Sequence, residues 1–333
     1  MSAGRRRRLA YNRAMLILRV AALLLTFPLC VAAARSADEI VLVPKQVSAH
    51  GWIFEGAAGM ASAQNKGFMS NAGFVVTGDG VVVFDALGTP ALGRAMLDAI
   101  GKVTPQRVTR VIVSHYHADH IYGLQELKRG GAEIWSHRKA QAYLTSGTAA
   151  DRLAQRRSDL FPWVDDTTRV VPPDVWLDGD TDFRLGGITF RLVYAGPAHS
   201  PEDLMMYVVE DRLLFAGDLI FAGRIPFVGN ADSKGWLAAM DRMISWQPAV
   251  VVPGHGPASK DVVRDLVLTR DYLTYLRTTM GRAVKALEPF DTAYAATDWS
   301  RFQALPAFAQ ANRINAYGTY LLMEQEELAA GRQ

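Results

Sequence analysis

Six side chains able to hold a metal ion dominate this 333-residue chain: His115, His117, Asp119 and His120 in one short run, then His199, then His255 between Gly254 and Gly256. Five of the seven histidines belong to this set. Asp218, in Ala216-Gly217-Asp218, is a seventh candidate. Imidazole and carboxylate are nitrogen and oxygen donors that suit a borderline divalent ion such as zinc, and iron or manganese accept the same donors. Seven donors are too many for one tetrahedral ion and about right for two. Structural zinc sites are usually closed and four-coordinate, so the excess of donors points to catalysis. Asp119 and Asp218 are the candidate catalytic carboxylates as well as ligands.

These groups need a rigid frame, and the sequence around them alternates between strand and helix patterns. Residues 74–77 and 81–84 flank Gly78-Asp79-Gly80 as a hairpin would. Residues 89–100 read as a helix, with Thr89 as cap before Pro90. A strand at 107–113 leads into the first cluster, a helix at 122–129 is stopped by Gly130-Gly131, and a strand at 132–135 precedes a helical stretch at 139–157. Further strands at 188–194, 204–209, 213–216 and 249–252 precede or bracket His199, Asp218 and His255. A helix is expected at 233–245, and residues from 260 on read as helical with a break at 289–300. Each ligand is therefore expected in a loop just after a strand, on one shared edge of a mixed sheet system with helices outside. An extended His115–His120 would turn His120 away from the others. The cluster is accordingly expected as a turn that leads Asp119 and His120 into a helix.

Ser114-His115-Tyr116-His117-Ala118-Asp119-His120, with His199, Asp218 and Gly254-His255-Gly256, resembles the metallo-β-lactamase superfamily over roughly residues 53–257. The resemblance implies an α/β fold, an αββα sandwich of two mixed β-sheets with external helices. It implies two metal ions, His115, His117 and His199 holding the first and Asp119, His120 and His255 the second. Asp218 would bridge them together with a water or hydroxide that attacks the substrate. The texture of His199-Ser200-Pro201-Glu202-Asp203 and Ala311-Asn312-Arg313-Ile314-Asn315-Ala316 is similar to exported zinc metallohydrolases associated with quinoprotein relays or sulfur oxidation.

Other residues have less specific readings. Asn71 closes a Gly-, Ala- and Ser-rich stretch at 56–71 that reads as a substrate flap or an ordinary long loop. Asn71, Phe221 and Arg224 are the candidate substrate contacts, Arg224 as a partner for an anionic group. Phe227 and Trp236 are pocket-lining candidates, with core packing favoured for Trp236. Asp85 is expected to support the ligand loop from behind. His137 is read as packing near the rim, and His50 as a surface residue.

The first 34 residues read as a signal peptide: six arginines, then an apolar run at 20–31, then Ala32-Ala33-Ala34. A retained anchor is the alternative, against which the short run broken by Pro28 argues. Without this leader the formal charge changes from +3 to −3, because six of the 36 basic residues leave and all 33 acidic ones stay. An acidic body argues against a nucleic-acid partner. Cys30, the only cysteine, leaves as well, so no thiolate ligand is expected. The expected organisation is a leader at 1–34, a catalytic body at 38–260, and a helical C-terminal extension at 261–333 packed on the same domain. The expected location is periplasmic or secreted, with no stable membrane span after cleavage, and the extension is a candidate to cover the active-site edge, supply a lid or mediate a homodimer.

The function these features support is an exported dinuclear hydrolase of an ester, thioester or similar small acyl substrate. A β-lactamase is the first alternative. The resemblance counts against it, since the thiolate-using subclass needs a cysteine and the other dinuclear subclass lacks an aspartate at the position of Asp218. The second alternative is a non-hydrolytic accessory of a periplasmic quinoprotein or sulfur-oxidation system.

Overall fold

Val81, Val82, Val83 and Phe84 are all buried, yet alternate residues serve different layers. Val82 and Phe84 join a core with Phe190, Leu192, Met206 and Phe215, while Val81 and Val83 join one with Met96, Ile100, Leu124 and Leu127. A strand's side chains point alternately to its two faces, so a wholly apolar strand must lie between two covering layers. The computed structural model, which describes residues 40–331, shows those layers.

The first sheet runs β1 (Lys45–Gln46), β2 (Gly51–Phe54), β3 (Ala72–Val76), β4 (Val81–Phe84), β5 (Val108–Ile112), β6 (Glu133–His137) and β7 (Val175–Leu177), in that spatial order. Its pairs are antiparallel up to β4 and parallel from β4 to β7. The second sheet holds β8 (Thr181–Leu185), β9 (Ile188–Tyr194), β10 (Leu204–Val208), β11 (Leu213–Phe221) and β12 (Val250–His255), ordered β12-β11-β10-β9-β8. Only β11 and β12 pair in parallel there. Both sheets are thus mixed, and the shared apolar layer between them includes Ile53, Val75, Ile112, Leu204 and Val252.

Helices cover the outer faces. The first sheet carries α1 (Pro90–Val103), α2 (Ala118–Ile121), α3 (Leu124–Arg129), α4 (Ala140–Thr145) and α5 (Gly147–Asp159). The second carries α6 (Ser233–Ser245), α7 (Val262–Lys285), α8 (Phe290–Ala296) and α9 (Phe308–Ala330). This is the αββα sandwich. Thr89 caps α1 as expected, its Oγ1 accepting the Leu92 N–H at 3.2 Å ahead of Pro90.

The structure departs from the expected elements in several places, including α8 inside the break expected at 289–300 and β12 running on to take in His255. The helix expected at 122–129 is α3 at 124–129, and a separate short helix, α2, precedes it within the His-rich turn. The stretch at 139–157 breaks at Ser146, whose backbone is extended. β11 continues past 216 to Phe221 across an irregularity at Gly217, so Asp218 lies inside a strand rather than after one. The C-terminal helices pack on the second sheet: Tyr272, Leu273 and Leu276 join its core, and Thr269 Oγ1 accepts the Phe221 N–H at 3.1 Å. The leader at 1–34 lies outside the described residues. Among those described, no helix is long and apolar enough to cross a membrane.

Gly123 sets how closely α1 approaches the turn that carries the histidines. A Cβ there would lie 1.9 Å from the Ala86 carbonyl oxygen and 3.0 Å from the Gly93 Cα. Gly123→Ala is expected to destabilise the protein by about 1–3 kcal/mol. The reading is a lower urea midpoint at unchanged m-value, and an unchanged midpoint would contradict the close approach.

Candidate metal centre

β5 delivers Ser114 and His115 to the sheet edge, His117 precedes α2, and the first turn of α2 presents Asp119 and His120. The expected turn is present. His199 lies in the loop between β9 and β10, Asp218 in β11 and His255 at the end of β12. All seven residues converge. Their donor atoms form two groups, His115, His117, His199 and Asp218 in one and Asp119, His120 and His255 in the other.

Asp218 faces both groups. Its Oδ2 lies 3.4 Å from His199 Nε2 and 3.8 Å from His115 Nε2, and its Oδ1 lies 3.1 Å from His120 Nε2 and 3.3 Å from His255 Nε2. Within the groups, His117 Nδ1 is 2.9 Å from His199 Nε2, and Asp119 Oδ2 is 3.4 Å from His255 Nε2 and 3.6 Å from His120 Nε2. Two donors bound tetrahedrally to one zinc at its usual bond lengths stand roughly 3.3 Å apart. The observed spacings bracket that value. His115 Nε2, His120 Nε2 and Asp218 Oδ1 are buried and have no hydrogen-bond partner, an arrangement that is costly unless a cation uses their lone pairs. The residues therefore fit divalent metal. His117 is exposed and the Asp119 side chain retains 14% exposure, so the cluster opens to solvent on their side.

The electrostatics agree with that donor set. Burial holds His115 well below the usual imidazole range, helped by His120 and His117, and burial drives His199 down to about 3. Both stay neutral with lone pairs available. Burial would raise Asp218, but His255 and His120 outweigh it and hold the carboxyl well below its usual range. Burial would likewise lower His120, yet Asp218, Asp119 and Asp85 raise it well above an ordinary imidazole.

A surrounding set of hydrogen bonds orients His115, His120 and His255. Asp85, held at φ 61°, accepts from the Ser114 N–H (2.7 Å) and Ser114 hydroxyl (2.8 Å), and its Oδ2 is 2.8 Å from His120 Nδ1. That bears out its expected supporting role. Ser114 Oγ also lies 2.8 Å from His115 Nδ1, and the Met69 carbonyl lies 2.8 Å from His255 Nδ1. Glu202 Oε1 accepts the Tyr116 N–H at 3.1 Å, tying the His199 loop to the first cluster. Trp236 packs edge-on against His199 with its indole N–H on the Leu219 carbonyl, a core position. His137 stacks on Tyr194 and belongs to neither donor group, and His50 pairs with Asp211.

The substrate candidates require correction. Asn71 is buried, and its side-chain amide donates to the Pro253 and Gly256 carbonyls at 2.8 and 2.7 Å while its oxygen accepts the Gly56 N–H at 3.0 Å. It pins the His255 loop, and both of its amide hydrogens are used in doing so. Phe221 is fully buried and stacks on the His255 ring at 4.8 Å, so it supports a ligand instead of lining a pocket. Arg224 is 1% exposed and touches the Gly59 carbonyl and His255. In the 56–71 stretch the last residues, Met69 to Asn71, are buried, whereas Ala57, Ala58 and Gln64 are exposed. The Asn71 and Glu202 ties join residues 182 and 86 positions apart, and nothing in the local sequence announces them.

Residues 65–255 match the family model of the metallo-beta-lactamase superfamily. The chain is 22% identical over 234 residues to a linear primary-alkylsulfatase of Pseudomonas sp. (strain ATCC 19151), covering 60% of this chain and 44% of that protein. It is 26% identical over 192 residues to the metallo-beta-lactamase type 2 of Bacillus cereus, covering 56% and 67%. A solved stereoselective inverting sec-alkylsulfatase from Pseudomonas sp. superposes with a TM-score of 0.67 at 16% identity, over 84% of this chain and 50% of that one. The chain thus spans about half the length of these alkylsulfatases. Residues before α7 cannot supply 84% of the chain, so the shared fold reaches into the C-terminal helices.

Asn71→Ala would leave two carbonyls and one N–H near the cluster without their partner. We expect a loss of about 1–3 kcal/mol in stability and roughly 10–100-fold in zinc affinity, measured by chelator competition. Wild-type affinity in this variant would show that the His255 loop holds its place unaided. A family model spanning more than half the chain, the sandwich of mixed sheets and the seven converging donors lead to one conclusion: the chain belongs to the metallo-beta-lactamase superfamily, whose similar members here are hydrolases.

Proposed function

We propose that the protein is a dinuclear metal-dependent hydrolase of an ester, thioester or similar small acyl substrate. The observation that carries this reading is Asp218, whose two oxygens each face a separate set of buried imidazoles. A carboxylate shared in this way offsets the repulsion between two cations held close together. His115, His117 and His199 would hold one ion and Asp119, His120 and His255 the other, zinc being the first choice and iron or manganese compatible. When bound, such ions polarise an electrophile and make water a nucleophile near neutral pH.

The chain's own residues do the rest. Asp119 turns Oδ2 toward His120 and His255, and its second oxygen would orient water and accept its proton. His117 and Asp119 line the approach. Asp85, Ser114 and the Met69 carbonyl each hold one imidazole, His120, His115 and His255, in a single tautomer. The proposal includes export, for which the composition of residues 1–34 is the support, and a small-molecule substrate rather than nucleic acid.

Initial rates of the zinc-loaded protein on matched ester, thioester, sulfate-ester and β-lactam panels test the reading. Ester or thioester turnover is expected. Efficient β-lactam turnover would overturn the weight given to Asp218, and silence on all four would reject hydrolysis. Asp218→Ala is expected to lower kcat/KM by more than the roughly 10–100-fold typical of an outer-shell partner, with reduced zinc content and unchanged far-UV circular dichroism. EDTA is expected to silence the enzyme and lower Tm while the sandwich stays folded below that Tm. Unfolding coincident with chelation would indicate a structural metal instead.

A further inference from the structure

Of the five histidines in the donor groups, four are buried, and three of those have an oxygen behind them. Ser114 Oγ, Asp85 Oδ2 and the Met69 carbonyl each lie 2.8 Å from Nδ1 of His115, His120 and His255 in turn. His199 breaks the pattern. Its Nε2 faces Asp218 and His117, while its buried Nδ1 has no hydrogen-bond partner among the described residues. With Nε2 turned into the cluster, Nδ1 carries the hydrogen. A buried N–H without an acceptor is costly, so the group packed behind this ring has to be identified.

That group is Trp236. Its ring centre lies 5.1 Å from that of His199 with the planes at 70°, an edge-to-face arrangement. Phe221 is farther, at 5.8 Å, and stacks on His255 instead. The electron-rich face of an indole accepts an N–H weakly, and more strongly when a cation on the same imidazole polarises that bond. The indole is also firmly placed. It is fully buried, and its own N–H donates to the carbonyl of Leu219, one residue beyond Asp218, at 2.9 Å. Asp232 caps α6 by accepting the Lys234 and Gly235 N–H groups at 3.1 and 2.9 Å. A Cβ on Gly235 would lie 2.2 Å from the Pro197 carbonyl oxygen, so the first turn of α6 presses directly on the His199 loop.

The two donor groups differ in what stands behind them. In one, Asp119 brings a negative charge, His120 is backed by a carboxylate and His255 by a carbonyl. In the other, His115 is backed by a hydroxyl, the His117 ring is exposed, and His199 has no oxygen at all. Outer oxygen partners raise the basicity of a ligand and its hold on metal.

We infer that Trp236 is the positioning residue for His199, its ring face taking the Nδ1–H, and that His115, His117 and His199 form the weaker, more exchangeable of the two metal sites. This rests on the two-metal part of the proposed function and not on hydrolysis.

The test is nuclear magnetic resonance of the zinc-loaded full chain labelled with nitrogen-15 histidine, joined to chelator competition. The buried ligands are expected to give three zinc-dependent imidazole N–H protons shifted downfield by oxygen partners and one shifted upfield by the indole ring current. The upfield proton is expected to move downfield in Trp236→Leu. Four downfield protons and none upfield in the wild type would overturn the inference without any variant. In chelator competition, Trp236→Leu is expected to weaken the looser of two zinc steps by up to about tenfold, the low end of the range for an oxygen partner, and to spare the tighter step. Trp236→Phe keeps a ring face and is expected to stay near the wild-type value. Equal losses in the two variants would make Trp236 a packing residue, and a change confined to the tighter step would reverse the order of the sites; either result overturns the inference. Should Trp236→Leu fail to fold, the wild-type spectrum and Trp236→Phe decide. A single zinc step would sink the two-metal reading, while the wild-type spectrum still decides the role of Trp236. Two zinc steps in a protein that hydrolyses no substrate would sink the hydrolase reading and leave this inference standing.

Discussion

A carboxylate with four imidazole nitrogens within 4 Å governs the architecture of this protein's active edge. Asp218 is 4% exposed, and its two oxygens reach His115, His199, His120 and His255. A charge so deeply placed costs several kcal/mol in real proteins unless opposite charge and hydrogen bonds compensate it. The compensation here comes from both sides at once, which is why neither group of donors is complete alone. The backbone accommodates it. β11 carries an irregularity at Gly217, and a Cβ on Gly254 would lie 2.0 Å from Asp218 Oδ1, so only glycine lets β12 run this close.

The ligands sit on four different segments, and the fold holds them together by ties that cross the sandwich. Asp85 at the end of β4 holds the turn after β5, Glu202 joins that turn to the His199 loop, and Asn71 before β3 pins the end of β12 from the other sheet. Each tie is a buried hydrogen bond to a backbone or ligand atom, so a shift at one segment is felt at the donors. The helical extension belongs to this frame. Its Asn315 fixes the loop after β11, and Thr269 fixes the end of β11 itself. A body that ended at residue 260 would lose these supports for the end of β11 and the loop after it.

Much of the site was legible in the sequence, because metal ligands must be particular residue types and their spacing is short. His115 to His120 lie within six positions, and each remaining ligand follows a strongly apolar stretch. The sandwich was legible for a related reason: 188–194 and 233–245 read as the elements they are, since their apolar patterns match strand and helix periods without conflict. What escaped was set by distance. Asn71 reads as a loop residue until its partners, 182 and 185 positions away, are seen beside it. Phe221 and Arg224 read as surface or pocket residues, because only tertiary packing decides that α7 and the 56–71 loop bury them. Asp218 looked like the residue after a strand, since a strand that bends at glycine and continues has no distinct local signature.

The account depends on Asp218 joining two cations. Anomalous diffraction at the zinc edge from zinc-loaded crystals tests that most directly. The account predicts two peaks, one among His115, His117 and His199, the other among Asp119, His120 and His255, with one oxygen of Asp218 on each. A single peak at full zinc occupancy, or two peaks with Asp218 bound to neither, would contradict it.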